Sequence, residues 1–393
     1  MPHPFPHDFR WGAATASYQV EGGIERCDWA QAAREGRVPP CGSACDHYRR
    51  FREDIALAAT LGHTMHRFSV EWARIEPEEG RFDEREIMHY REVLTAIRAH
   101  DMEPSITILH FTLPLWYAER GGWEHPNAPR LFARYAAYVV ERLGDLCTTF
   151  ATLNEPMVVA GLGYVRGRWP PFHTRAYVRY LRALYHMAKG HRAAYHAIRA
   201  ARTSARIGIV KHTVAFRAAG KNPFHHLAAW CMNLLWTRAF MSLVHHSCDW
   251  IGVNYYQRRV YGDTRALPYT DMGWRSDPEG IADALLQFKR YRKPVYVAEA
   301  GCADASDRFR ASYIRDTVRG MRTALAQGVD LRGYCYWSLL DNYEWAEGFE
   351  KHFGLVEVDY DTFERRVRPS ALLYREICRT NGGVVEGDEY QEP

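Results

Sequence analysis

Eight β-prone runs, each but the last followed by a helical stretch, recur along this chain with no linker or change of composition between them. The runs begin at Phe9 (with Gln19 just past the end) and then cover 63–70, 103–110, 149–155, 205–211, 249–256, 293–299 and 331–337. Helical periodicity fills 46–61, 84–100, 131–143, 178–201, 227–244, 278–291 and 309–327, with Gly62 and Gly328 as stops. Strands alternating with helices imply a parallel sheet. Eight such units imply an α/β fold of the closed (β/α)8, or TIM barrel, type, read as one domain over 1–393 with 381–393 a loose tail. The alternative, an open doubly wound sheet, calls for a Gly-rich phosphate loop after the first strand, and Gly12-Ala13-Ala14-Thr15 does not supply one.

In a barrel of this kind the chemistry lies at the C-terminal ends of the strands. The polar residues there are, in order, Gln19, Arg67, His110, Asn154 with Glu155, Asn254 with Tyr256, and Glu299, followed by Trp337. Their shared placement is hard to explain by packing alone. Pro156 biases Glu155 to an extended backbone, so Glu155 is expected where the fourth strand gives way to a loop. Glu155 and Glu299 are carboxylates on different strands, and paired carboxylates flanking one bond are the working parts of glycoside hydrolysis. Glu299 ends an apolar strand, where an unpaired charge is costly. Arg67 is its natural partner and Tyr256 a natural donor.

Other chemistries lack their residues. No HExxH or clustered His appears among the 19 His, and no GxSxG elbow is present, so no metal or cofactor is expected. The net charge of +4 is small for 393 residues and no Lys/Arg block stands out, which gives nucleic acid little support. No apolar run is read as membrane-spanning, and the N-terminus lacks a basic segment followed by an apolar one. Nine scattered cysteines without zinc-finger spacing read as buried free thiols. The expectation is a cytoplasmic protein with a small-molecule partner, no membrane partner, and an oligomeric state left open.

The run Gly333-Tyr334-Cys335-Tyr336-Trp337-Ser338-Leu339-Leu340-Asp341-Asn342-Tyr343-Glu344-Trp345-Ala346-Glu347-Gly348-Phe349 is too long and too aromatic for chance. Together with Phe9-Arg10-Trp11-Gly12-Ala13-Ala14-Thr15-Ala16-Ser17-Tyr18-Gln19, Asp46-His47-Tyr48, Arg67-Phe68-Ser69, Thr152-Leu153-Asn154-Glu155-Pro156 and Ile251-Gly252-Val253-Asn254-Tyr255-Tyr256, it resembles glycoside hydrolase family 1, the β-glucosidase family. The resemblance implies a retaining β-glycosidase for terminal glucosyl, fucosyl or galactosyl residues, with Glu155 as general acid/base and Glu299 as nucleophile, their carboxyl groups roughly 5 Å apart. It implies that Asn154 holds the sugar 2-hydroxyl, that Gln19, His110, Glu344 and Trp345 hold the others, that Trp337 forms the floor and that Phe353 closes a wall. Arg67, Asn254 and Tyr256 would support the two carboxyls.

Three positions depart from the family pattern. Ala300-Gly301 follows the nucleophile where Asn-Gly is usual, Phe111-Thr112 follows His110 where Trp-Asp is usual, and Met157 stands where a Trp often lines the leaving-group side. The stretches 216–247 and 257–273 look trimmed, so a more open aglycone side is expected, lined by Met157, Trp169 and Trp274. Glu344-Trp345 would repel a 6-phosphate.

Overall fold

The computed structural model describes residues 5–383. Eight parallel strands close into a barrel in chain order: β1 (Arg10–Ala14), β2 (Met65–Ser69), β3 (Glu103–Leu109), β4 (Thr149–Asn154), β5 (Arg206–His212), β6 (Trp250–Tyr255), β7 (Val295–Ala300) and β8 (Leu331–Trp337). Closure runs from β8 to β1, with Arg10 opposite Gly333 and Ala14 opposite Trp337. The small residues of β1 follow from its neighbour, because a Cβ on Gly12 would sit 1.9 Å from the Met65 carbonyl oxygen. Inside the barrel, Met65, Ala151, Val210, Trp250, Ala298 and Cys335 pack into one buried apolar cluster.

The crossover helices are α1 (His47–Thr60), α2 (Glu84–Ala99), α3 (Ala128–Leu143), α4 (Tyr177–Ala201), α5 (Pro223–Asn233), α6 (Ile281–Leu286), α7 (Arg310–Ala326) and α8 (Pro369–Arg379). The stops act as expected, since Gly62 and Gly328 take positive φ of 72° and 83°. Asp83 caps α2 by accepting from the Arg85 N–H, and Asn222 caps α5 by accepting from the Phe224 N–H. The α8 helix, which the sequence reading did not include, completes the eighth unit. Its Tyr374 hydroxyl donates to the Gly12 carbonyl at 2.7 Å and ties the end of the chain to β1.

Several expectations are corrected. The first strand is shorter than expected, Arg10–Ala14, and Gln19, expected just past its end, lies in a one-turn helix, Ser17–Val20. The helix expected over 278–291 is three short pieces, Pro278–Gly280, Ile281–Leu286 and Lys289–Tyr291. α5 continues through a wide turn, Leu234–Arg238, into Ala239–Val244. The helical run Pro223–Ser247 is, by length and composition, long and apolar enough to cross a membrane, against the reading that no run is. Here it is the crossover between β5 and β6. Asn381, placed in the loose tail, is anchored instead: it accepts from Trp11 Nε1 at 2.9 Å and donates to the Phe5 carbonyl. Residues 384–393 lie outside the described residues.

Candidate active site

The site is built where β4, β6, β7 and β8 end. Glu155 directly follows β4, and no loop intervenes. It is the N-cap of the short helix Pro156–Ala160, with φ 45° and ψ 57°. The proline bias toward extended backbone is overridden by tertiary bonds: the Glu155 N–H donates to the Val210 carbonyl at 2.9 Å, and its own carbonyl starts the helix by accepting from Val158. A left-handed non-glycine residue costs about 1–3 kcal/mol and is characteristic of functional sites. The turn directs the carboxyl inward, where Asn254 Nδ2 donates to Oε1 at 2.6 Å.

Glu299 sits near the end of β7 and is buried, 3% exposed. Arg67 Nη1 donates to one of its oxygens at 2.6 Å, and the Tyr256 hydroxyl donates to the other at 2.7 Å. Arg67 Nη2 also donates to Asn154 Oδ1 at 2.9 Å, which fixes the Asn154 amide so that its Nδ2 faces His110 Nε2 at 3.2 Å. Burial and then the charge of Arg67 push the His110 pKa well down, so the ring is neutral. With Nε2 accepting from Asn154, the proton is on Nδ1, and Nδ1 has no partner among the described residues.

The two carboxyls have different surroundings. Burial first, and the charge of Glu299 second, push Glu155 up to about 8, against the pull of Asn254, Lys211 and Arg67. Glu299 has a guanidinium and a phenol donating to its two oxygens. Glu344 is also pushed up to about 8, by burial and then by Glu299. Gln19 Nε2 donates to Asn342 Oδ1, the Tyr343 carbonyl and, at 3.4 Å, Glu344 Oε2, while its Oε1 has no partner among the described residues. Trp337, Trp345 and Phe353 are buried around this set. His110 lies parallel to both Trp337 and Trp345, with centroids 5.9 and 6.1 Å away.

On the aglycone side, Trp274 is part-buried and packs on Tyr256 at 5.5 Å and Phe353 at 6.4 Å. Met157 is buried, and the Tyr180 hydroxyl of α4 reaches its sulfur at 3.8 Å. Trp169 is 8% exposed and packs among Trp29, Phe111 and Trp345 in an aromatic cluster. One departure acquires a physical account. The Thr112 hydroxyl donates to the buried Glu71 carboxyl, contacting its oxygens at 3.1 and 2.9 Å. Burial pushes Glu71 up to about 7, so an acid at position 112 would set a second carboxyl against it, whereas Thr supplies a donor. A Cβ on Gly301 would lie 1.8 Å from the Trp337 carbonyl oxygen, which explains why the glycine is kept beside Ala300.

Lys211 escaped the sequence reading. It is fully buried near the end of β5, its Nζ donates to the His212 carbonyl, and it lies 5.0 Å from the Trp236 ring centroid. Burial pushes its pKa down to about 7, and the charge of Glu155 opposes this. A lysine closing the apolar run Ile207-Gly208-Ile209-Val210 was the available signal.

A buried acid pair in contrasting hydrogen-bond surroundings, ringed by hydrogen-bonding groups and floored by indoles at the C-terminal face of a TIM barrel, defines a carbohydrate-cleaving enzyme. Residues 1–244 and 257–383 match Glycosyl hydrolase family 1, and the chain belongs to that family. It is therefore a glycoside hydrolase of the retaining type, acting on a small-molecule glycoside. It is 33% identical to beta-glucosidase A of Thermotoga maritima, with 96% of this chain and 98% of the relative covered. That alignment, at 439 residues, is longer than this 393-residue chain, so the relative carries insertions absent here, in keeping with trimmed loops. The chain is 31% identical to a beta-galactosidase of Saccharolobus solfataricus, covering 99% and 97%. Among solved structures it resembles a beta-glycosidase from Pyrococcus horikoshii, with TM-score 0.90, 36% identity and coverage of 97% and 96%. It also resembles the beta-glucosidase from Thermotoga maritima in complex with deoxynojirimycin, with TM-score 0.89, 32% identity and coverage of 96% and 99%.

Proposed function

We propose that this enzyme removes single, unphosphorylated glucosyl, fucosyl or galactosyl residues from β-glycosides, with Glu299 as nucleophile and Glu155 as acid and then base. The observation that carries the assignment is the split environment of the two carboxyls. Glu299 receives N–H and O–H donors from Arg67 and Tyr256 on its two oxygens, the surroundings that favour a carboxylate nucleophile toward the anomeric carbon. Glu155, raised to about 8, carries the proton that the leaving oxygen must receive. Once the sugar esterifies Glu299, that charge is gone and the pull on Glu155 reverses. Glu155 then accepts a proton from water as the ester is hydrolysed with net retention.

Gln19 Oε1 and His110 Nδ1–H are free to bond hydroxyls, Asn154 is aligned for the 2-hydroxyl, and Trp337 offers its face to the C–H side of the ring. Glu344 can accept from an equatorial or an axial 4-hydroxyl, which fits relatives named for glucosides and for galactosides. A phosphate on the adjacent carbon would bring further negative charge into the buried site that holds Glu299, and Glu344 supplies no counter-charge to it. The test is a panel of aryl β-glycosides. Turnover of gluco, fuco and galacto substrates, with none on 6-phosphoglucoside, is expected. Faster turnover of the phosphorylated sugar would overturn the assignment of Glu344.

A further inference from the structure

Residues 156–248 contain fourteen Lys or Arg and no Asp or Glu. The rest of the chain, with 37 basic against 47 acidic residues, is net acidic, so the total of +4 conceals a strongly basic sector. The same sector holds ten of the thirteen large apolar side chains that are exposed among the described residues. They concentrate on two neighbouring crossover helices. Tyr177, Leu181 and Tyr185, at spacings of four, form a stripe on the first two turns of α4 and are 51–63% exposed. Phe224, Leu227 and Trp230 line the first two turns of α5 and are 54–77% exposed. Both helices follow strand C-termini and therefore start at the active-site face of the barrel. Interleaved with these side chains are Arg182, Lys189 and Lys221, which are exposed and have no carboxylate partner among the described residues.

We propose that this face is a docking surface for an anionic lipid bilayer, on which the enzyme lies with its aglycone side toward the membrane. Arg179 and Arg217 are paired with Glu124 and Asp283 from outside the sector, but Arg182, Lys189 and Lys221 are not; apolar side chains on a helical surface set among such cations are the chemistry of interfacial membrane binding. Lipid phosphates take the cations, and the boundary of the acyl region takes Leu181, Leu227 and Trp230. A second copy docked on the same patch would set Arg182, Lys189 and Lys221 against the same cations of its partner. A nucleic acid would answer the cations but leave the aliphatic side chains uncovered. The surface adjoins the site itself: Tyr180, on the same turns of α4, reaches Met157, two residues beyond Glu155. Pro223–Ser247 lies on the membrane rather than crossing it, because it joins two strands of one barrel.

The test is co-sedimentation of the full chain with phosphatidylcholine vesicles, with and without a roughly one-third fraction of phosphatidylglycerol. Binding is expected only to the anionic vesicles and should weaken as salt shortens the screening length. Arg182→Glu with Lys221→Glu should reduce partitioning at least on the order of twenty-five-fold, at about fivefold per basic residue. Leu181→Ser with Leu227→Ser should reduce it on the order of tenfold or more. All variants should keep wild-type turnover of a soluble aryl glycoside, which shows that they are folded. Wild-type protein left in the supernatant, equal binding to neutral vesicles, or wild-type partitioning by either double variant would overturn the proposal. So would a dimer in light scattering that the serine variant dissolves, which would give the patch to a second copy.

Discussion

Replacing Glu299 with Gln isolates the electrostatic link on which the two-step chemistry depends. Both carboxyls are buried, and Glu155 is raised to about 8 by burial first and Glu299 second. With the groups roughly 5 Å apart, as retaining chemistry requires, one unit charge at an effective dielectric constant of about 20 contributes roughly 3 kcal/mol. That corresponds to roughly 2 pH units. In Glu299→Gln this term is removed, and the positive charge of Arg67, no longer neutralised at 2.6 Å, also favours the Glu155 anion. Both changes lower the Glu155 pKa, and burial keeps part of the elevation. Carboxyl-labelled glutamate, with the Glu155 resonance assigned by its loss in Glu155→Gln, allows the titration to be followed by NMR. Wild type should titrate near 8 and Glu299→Gln roughly 2 pH units lower. An unchanged value near 8 would mean that burial alone sets the protonation, and the switch from acid to base would lose its cause.

Lys211→Met removes a cation that lowers the Glu155 pKa, so the alkaline limb of kcat/KM should move up by roughly 0.5–1 pH unit. A limb that stays in place or moves down would show that Lys211 does not reach the acid. Arg310 is fully buried and donates to the Cys302 carbonyl, the Tyr336 hydroxyl and the Phe353 carbonyl at 2.9–3.1 Å. Arg310→Met strands these acceptors, and at about 1–3 kcal/mol each the loss should exceed about 3 kcal/mol in denaturant unfolding; a change below 1 kcal/mol would contradict the account.

What could be read from the sequence follows from the scale of each signal. The barrel strands are short β-prone runs between helical stretches, so all eight are legible in the sequence. The pairing of Arg67 and Tyr256 with Glu299 was legible because a buried acid must have partners. The backbone at Glu155 was not, because Pro156 sets only a local bias while the bond to Val210 comes from the next strand. The helix α8 lay beyond the last strand, where no further unit was sought. Lys211 was read as one more strand residue, since only the assembled barrel shows its burial. The basic sector was missed because the net charge averages over a chain whose remainder is acidic.

The central claim is that Glu299 is the residue the sugar esterifies. A slow 2-deoxy-2-fluoro-β-glycoside bearing a good leaving group should inactivate the enzyme, and peptide mapping by mass spectrometry then locates the sugar. The account requires one sugar per chain, on Glu299, with no label in Glu299→Gln. A label on Glu155 or on any other side chain would contradict it.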